Sequence, residues 1–217
     1  MNDTQQPAVQ IEQVTVRFDG QAVLESLDLT VPAGRKVVLS GPSGSGKSTL
    51  LRCLLGLLVP QSGRIVIEGT ELDDRTVWQV RRRIGYVAQE PVLGSGTARE
   101  VLHRPFSYRA NQDQAENLQR VPELFDRFCL SGSLLDKPVE KLSGGQKQRV
   151  ALVSGILLDR PVLLLDEPGS ALDEDNRRAV GEYLARSDRT VLVAGHGGDW
   201  GEYVDQVVEL GGVGHVG

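Results

Sequence analysis

At 217 residues the chain has room for one α/β domain with a sizeable core and falls short of two full domains. A formal charge of −5 argues against a broad nucleic-acid surface, and the one basic run, Arg81-Arg82-Arg83, reads as solvated helix surface. Cys53 and Cys129 lie in apolar helical contexts without the spacing of a zinc site or a secreted disulfide framework, which fits a reducing cytoplasm. No apolar run reaches about 18 residues, so the chain is not expected to span a membrane by itself.

Residues 1 to 8 are polar and read as a tail. From Val9 to Phe18 and from Val23 to Val31, apolar and polar residues alternate, predicting two half-buried antiparallel strands joined through the turn Asp19-Gly20. Phe18 closes the first strand, where its ring could stack on an adenine or simply join the core. After Pro32-Ala33-Gly34 comes the buried strand Lys36 to Ser40.

The next stretch, Gly41-Pro42-Ser43-Gly44-Ser45-Gly46-Lys47-Ser48-Thr49, fits the phosphate-cradling pattern G-x-x-x-x-G-K-[S/T], and a leucine-rich helix from Thr49 to Leu58 follows it. The glycines allow consecutive N–H groups to turn toward an anion, and the helix adds the positive end of its dipole. Lys47 is expected on the β- and γ-phosphates, Ser48 on Mg²⁺, and Thr49 at the helix start. The alternative, a glycine-rich turn without a ligand, does not account for the strand and helix that flank it.

Strands are predicted over Arg64 to Glu68 and Ile84 to Ala88, the second ending at Gln89 near the carboxyl edge of the sheet, where doubly wound folds place ligands. From residue 90 to about 158 the composition favours an inserted helical subdomain. Val121, Leu124, Phe125 and Phe128 form one apolar helical face within it, read as core. Phe106 and Tyr108, beside Pro105 in a loop, suit contact with a partner. Leu142-Ser143-Gly144-Gly145-Gln146 precedes the helix Lys147 to Leu158 and makes a second anion-binding helix start, or a plain helix cap.

The apolar strand Val162 to Glu167 ends in two carboxylates that emerge beside the phosphate loop. Asp166 suits a metal and Glu167 the polarising of an attacking water. Ser170 to Asp173 opens an amphipathic helix, Asn176 to Arg186. The strand Thr190 to Ala194 then delivers Gly195-His196 to the same edge, although a histidine taken alone would be a surface or core residue. A short helix, Asp199 to Val204, a strand, Gln206 to Leu210, and a tail, 211 to 217, complete the chain.

In order and spacing, GPSGSGKST at 41 to 49, Gln89, LSGGQ at 142 to 146, VLLLDE at 162 to 167, SALD at 170 to 173 and His196 resemble the ATP-binding subunit of ABC transporters. The resemblance covers Val9 to Leu210. It implies one P-loop NTPase domain over 9 to 210, with a mostly parallel sheet, an N-terminal antiparallel β subdomain and the helical insertion. It implies ATP and Mg²⁺ as ligands, with Phe18 on adenine, Gln89 on Mg²⁺ or its water and sensing the partner, Asp166 and Ser48 on the metal, Glu167 as the catalytic carboxylate and His196 on the γ-phosphate. It further implies a head-to-tail homodimer in which Ser143, Gly144, Gly145 and Gln146 of one copy, with the Asp173 loop nearby, close over ATP held by the other.

The sequence departs from the family's usual pattern at two places. Gly169 stands where Thr is common, and Gly197-Gly198 follow His196 where Asp is usual, which leaves the Asp173 loop the least determined part of the site. The function expected is an ATPase that docks, at the cytoplasmic face of the membrane, on a separate integral membrane permease; the short arm after Gln89 is similar to a bacterial iron-export ATPase. A soluble ABC-type ATPase acting on nucleic acid or the ribosome is the other reading. Such relatives resemble fused pairs or carry a long coiled coil, which this sequence lacks, so no nucleic-acid partner is expected.

Overall fold

In the computed structural model, which describes residues 6–211, two long strands come first: β1, Pro7–Phe18, and β2, Gln21–Pro32, paired antiparallel from Phe18↔Gln21 to Pro7↔Pro32. The two-residue connection has positive φ at both Asp19 and Gly20, the geometry whose twist matches a hairpin. Alternation, shifted by one residue at Gln13 (φ 50°), puts Val9, Ile11, Val14 and Val16 in the core while Glu12, Gln13 and Arg17 face out. Of the two tails expected from the sequence, residues 1–5 and 212–217 lie outside the described residues. Pro7 and Ala8, expected in the first tail, belong to β1.

β3, Lys36–Ser40, is buried throughout and leads through the glycine loop into α1, Lys47–Leu54. The helix is displaced from the predicted Thr49 to Leu58: Gly46 is its N-cap, Thr49 makes no cap bond, and beyond Leu54 the chain turns, leaving Leu57 exposed. β4, Ser62–Ile67, and β5, Thr70–Glu71, complete a four-stranded antiparallel sheet in the order β2-β1-β4-β5. A short α2, Val77–Arg81, precedes β6, Ile84–Val87.

Between β6 and the next strand, the described elements are helical. These are α3, Ala98–His103, 3₁₀ segments at Arg104–Ser107 and Arg109–Arg120, α4, Val121–Arg127, two short 3₁₀ turns, and α5, Gly144–Leu157. Val121, Leu124, Phe125 and Phe128 are all buried, as their spacing requires, with Phe128 edge-on to Tyr183 at 5.3 Å between ring centroids.

The remaining elements are β7, Val162–Asp166, α6, Glu174–Arg186, β8, Thr190–Ala194, α7, Gly197–Trp200, and β9, Gln206–Glu209. The second sheet runs β6-β7-β8-β3-β9, and every pairing in it is parallel. Strands buried on both faces need continuous apolar runs, which Val162 to Leu165 and Val191 to Ala194 supply. One core joins α1 to both sheets, and a second fills the space between α3 to α6 and the parallel sheet. Cys129 is exposed with positive φ just past α4, not on a helix as its surroundings predicted; Cys53 is buried in α1. Among the described residues no helix is long and apolar enough to cross a membrane.

Candidate functional site

Because β6, β7, β8 and β3 are parallel neighbours, their carboxyl ends open on one edge, and this edge gathers Gln89, Asp166, Glu167, His196 and the loop 41–49. At Gly41 an added Cβ would stand 2.4 Å from the carbonyl of Leu210 and 2.6 Å from Oγ of Ser45. At Gly46 it would meet Leu24 at 2.7 Å and the Val23 carbonyl at 3.1 Å, so β2 presses the antiparallel sheet directly against the loop. Both glycines have positive φ, so backbone conformation and space exclude any other residue.

Lys47 is almost fully buried. Its Nζ donates to the carbonyls of Gly41 at 2.7 Å and Pro42 at 3.0 Å, and among the described residues no carboxylate pairs with it. Ser45 Oγ is buried without a partner. A buried ammonium without a counter-charge, an orphaned hydroxyl and glycine-exposed N–H groups at a helix start together suit a polyphosphate.

Ser48 Oγ donates to Oδ1 of Asp166 at 2.8 Å, spanning from α1 across β8 to β7. A hydroxyl beside a carboxylate is the hard oxygen set that suits Mg²⁺, a cation that keeps several waters and needs few protein ligands. Tyr86 Oη donates to the other carboxylate oxygen at 3.4 Å, and burial followed by the Asp166 charge pushes its phenol up.

Glu167, expected as the last residue of the strand Val162 to Glu167, lies just beyond it. β7 ends at Asp166, and Glu167 has φ 43°, a left-handed conformation at a residue preceding proline, where extended backbone is usual. Such a conformation costs roughly 1–3 kcal/mol. It is held by the Glu167 N–H on the Ala194 carbonyl at 2.8 Å and by the Ser170 N–H and Oγ on the Glu167 carbonyl at 3.1 and 3.0 Å. Gln89 Nε2 donates to Glu167 Oε2 at 2.7 Å. His196 is exposed at the N-terminus of α7, and Phe18 is 48% exposed at the hairpin end of the antiparallel sheet.

Ser143 caps α5 in a reciprocal arrangement, with the Gln146 N–H on Ser143 Oγ at 3.3 Å and the Ser143 N–H on Gln146 Oε1 at 3.0 Å. Among the described residues no hydrogen bond joins 143–146 to 41–49 within one chain. Ser143–Gln146 meets the Asp173 loop instead: an added Cβ at Gly145 would stand 2.6 Å from the Ala171 carbonyl.

Arg149 reinforces that contact. It donates to the carbonyls of Gly145 at 3.2 Å and Phe128 at 2.9 Å and to Oδ1 of Asn176, whose amide donates to both oxygens of Asp173 at 2.8 Å. Backbone and side-chain bonds from Asn176, then the Arg149 and Arg177 charges, hold the Asp173 carboxyl below the usual range. Burial lowers Arg149.

Sequence reasoning missed Tyr86, Arg149 and Asn176. Only Asn176, three residues beyond the capping Asp173, sits at a spacing that signals its contact.

Gln148 of α5 is buried and donates to the carbonyl of Ala88, next to Gln89, at 3.3 Å. Beyond it lies a groove of about 440 Å³ whose lining includes Tyr86, Pro91, Val92, Tyr108 and Ser154. Val92 and Tyr108 are exposed there, whereas Phe106, paired with Tyr108 as a partner contact by the sequence, is buried in the core.

The sequence model of the ABC transporter family matches residues 24–170. Over 94% of its length the chain is 34% identical to the probable iron export ATP-binding protein FetA of Escherichia coli, and it spans 91% of that protein. It is 37% identical to an ATP-dependent lipid A-core flippase of Ralstonia nicotianae over 93% of its own length, but spans only 36% of the flippase. Among solved structures, it is similar to an ATP-binding cassette solved as a dimer in a post-hydrolysis state bound to ADP and Pi, with a TM-score of 0.76, 27% identity, and 93% and 94% of the two chains covered.

Proposed function

The chain belongs to the ABC transporter family as an ATP-binding ATPase subunit, and from that premise we propose that two copies close head to tail over ATP and so drive a separate membrane permease. The observation that carries the site is the Ser48–Asp166 pair beside a phosphate loop whose Lys47 has no carboxylate partner. Gly41 to Thr49 hold the phosphates, Phe18 stacks on the adenine, and Ser48, Asp166 and Gln89 hold Mg²⁺. Mg²⁺, when bound, supplies charge neutralisation at the β- and γ-phosphates.

Hydrolysis then turns on Glu167 and His196. Glu167 takes the proton of the attacking water as its oxygen bonds to the γ-phosphorus and the bond to the ADP oxygen breaks, and His196 donates to a γ-phosphate oxygen. Gln89, bonded to Glu167, sets the carboxylate's direction. Ser143 to Gln146 act on the ATP of the other copy, which agrees with the lack, among the described residues, of any hydrogen bond between them and the loop 41–49 of their own chain.

The permease docks in the groove beside Gln89, where Tyr86, Val92 and Tyr108 offer apolar surface, the first two within three residues of Gln89 in the chain. The chain thereby sits at the cytoplasmic face of the membrane, with the helical residues 90–158 as the lobe that moves against the rest of the single domain, 9–210. Iron export is proposed from the near full-length likeness to FetA. Purification from native membranes tests the reading: a co-purifying permease whose transport needs this chain and ATP supports it, and a chain free of any membrane protein refutes it.

A further inference from the structure

A single indole lies between the loops that carry Glu167 and His196. Trp200, the last residue of α7, is 2% exposed. An added Cβ at Gly169, two residues after Glu167, would stand 3.1 Å from Cζ2 of that ring and 3.3 Å from Cδ of Arg177. At Gly195, immediately before His196, it would stand 3.2 Å from both Cδ1 and Nε1. Neither glycine has positive φ, so it is crowding by the ring, which would have to give by a few tenths of an ångström, and not the path of the chain, that disfavours a side chain here. Arg177 also pairs with Asp199 at 3.5 Å, fastening α6 to the residue beside Trp200.

We infer that Trp200 is a positioning residue for ATP hydrolysis: its indole sets the spacing between the Glu167–Asp173 loop and His196, and Gly169 and Gly195 are the complement it requires. The inference rests on the roles proposed above for Glu167 and His196. It gives Gly169, a departure from the family's usual residue, a physical reason, since a threonine there would have to displace either the ring or the loop. ATP affinity depends mainly on other elements, the loop 41–49 and Phe18, so a change in spacing should fall on turnover and not on binding.

A size exchange in the full chain tests this. A misplacement of about 1 Å costs up to roughly 10² in rate, so Gly169→Thr should lower kcat by about tenfold or more while KM for ATP stays within about twofold. In a Trp78→Phe background, where Trp200 is the only indole, Gly169→Thr should also shift the emission to the red as the ring is pushed toward water. Adding Trp200→Leu to Gly169→Thr makes room and should recover most of the lost kcat. A native rate in Gly169→Thr, a parallel change in kcat and KM, or a double variant no better than the single would each overturn the inference. If Gly169→Thr does not fold, Gly169→Ala is judged by the same outcomes. A wild-type chain that hydrolyses no ATP would unseat the functional reading instead, because the emission shift does not depend on turnover.

Discussion

Gln89 and Glu167, 78 residues apart in the chain, meet at 2.7 Å because each lies two residues beyond a paired position of β6 and β7, Val87↔Leu165. Parallel register therefore places the amide against the carboxylate before any ligand arrives. One carboxylate oxygen is engaged and the other is left for water.

Gln89→Glu would put two carboxyl groups where amide and carboxylate now touch. Like charges that close cannot both ionise easily, so one of the pair titrates well above the usual carboxylate range. The unprotonated base is then reached only at higher pH, and the acid limb of the kcat–pH profile should move upward. A limb in the wild-type position would show that the new carboxylate is neutralised by Mg²⁺, the other ligand proposed for Gln89, or that Gln89 does not face Glu167 during turnover.

Lys47→Ala removes a buried ammonium that the structure leaves with only the Gly41 and Pro42 carbonyls. Hydrogen bonds to a charged group contribute about 1.5–3 kcal/mol, so ATP affinity should fall roughly 10- to 100-fold. Calorimetric titration with ATP measures this directly, and unchanged binding would remove the loop 41–49 from the site.

Much of this arrangement is readable from residue order, because period-2 alternation fixes β1 and β2, continuous apolar runs fix the parallel strands, and a glycine loop between strand and helix has few other uses. The Val121 to Phe128 face follows from helical spacing in the same way. What the sequence does not announce depends on contacts between distant segments. Arg149 reaching Asn176, and through it Asp173, has no signal in either segment. The left-handed backbone at Glu167 is set by Ala194 and Ser170, so pattern alone extends β7 one residue too far. In residues 109–120 the partly buried positions Asn111, Gln114, Asn117, Leu118 and Arg120 are all polar except Leu118, so hydrophobic spacing does not announce their 3₁₀ path.

Ser143→Arg tests the two-chain site. Among the described residues Ser143 hydrogen-bonds only within the start of its own helix, so ATP binding to the isolated chain should persist while hydrolysis collapses, the arginine intruding on the opposite copy's nucleotide. Loss of the cap costs about 0.5–2 kcal/mol, so a melting curve should accompany the assay. Lost binding in a folded, monomeric variant would place Ser143 in its own chain's site.

The thiols should separate by environment. Burial pushes the Cys53 thiol up to about 11 from an ordinary 9.0, whereas Cys129 is exposed. At neutral pH a disulfide reagent should label Cys129 within minutes and Cys53 only after denaturation. Because the folded chain holds the Cys53 proton more tightly than the unfolded chain, this group's contribution to stability is intact below about pH 9 and declines as pH rises toward 11. Two fast thiols in the native chain would contradict the packing of α1.

Glu167→Gln keeps the shape of the side chain, and its amide can still meet Gln89, but it removes the charge that would accept a proton from water. Hydrolysis should fall by about 10² or more, the range associated with losing a general base. ATP binding should survive, because Lys47, Ser48 and Asp166 are untouched. If the nucleotide is held between the loop 41–49 of one copy and Ser143–Gln146 of the other, unhydrolysed ATP links the copies by mass action, and the variant should accumulate as a dimer. Light scattering at saturating ATP, with and without Mg²⁺ and against ADP, reads this out. ADP lacks the γ-phosphate, and with it part of the nucleotide that Ser143–Gln146 of the other copy would close over, so it should leave the chain monomeric. A variant that binds ATP yet stays monomeric at every accessible concentration would refute the two-chain site, and one that hydrolyses at the native rate would pass the catalytic role to His196 or Gln89.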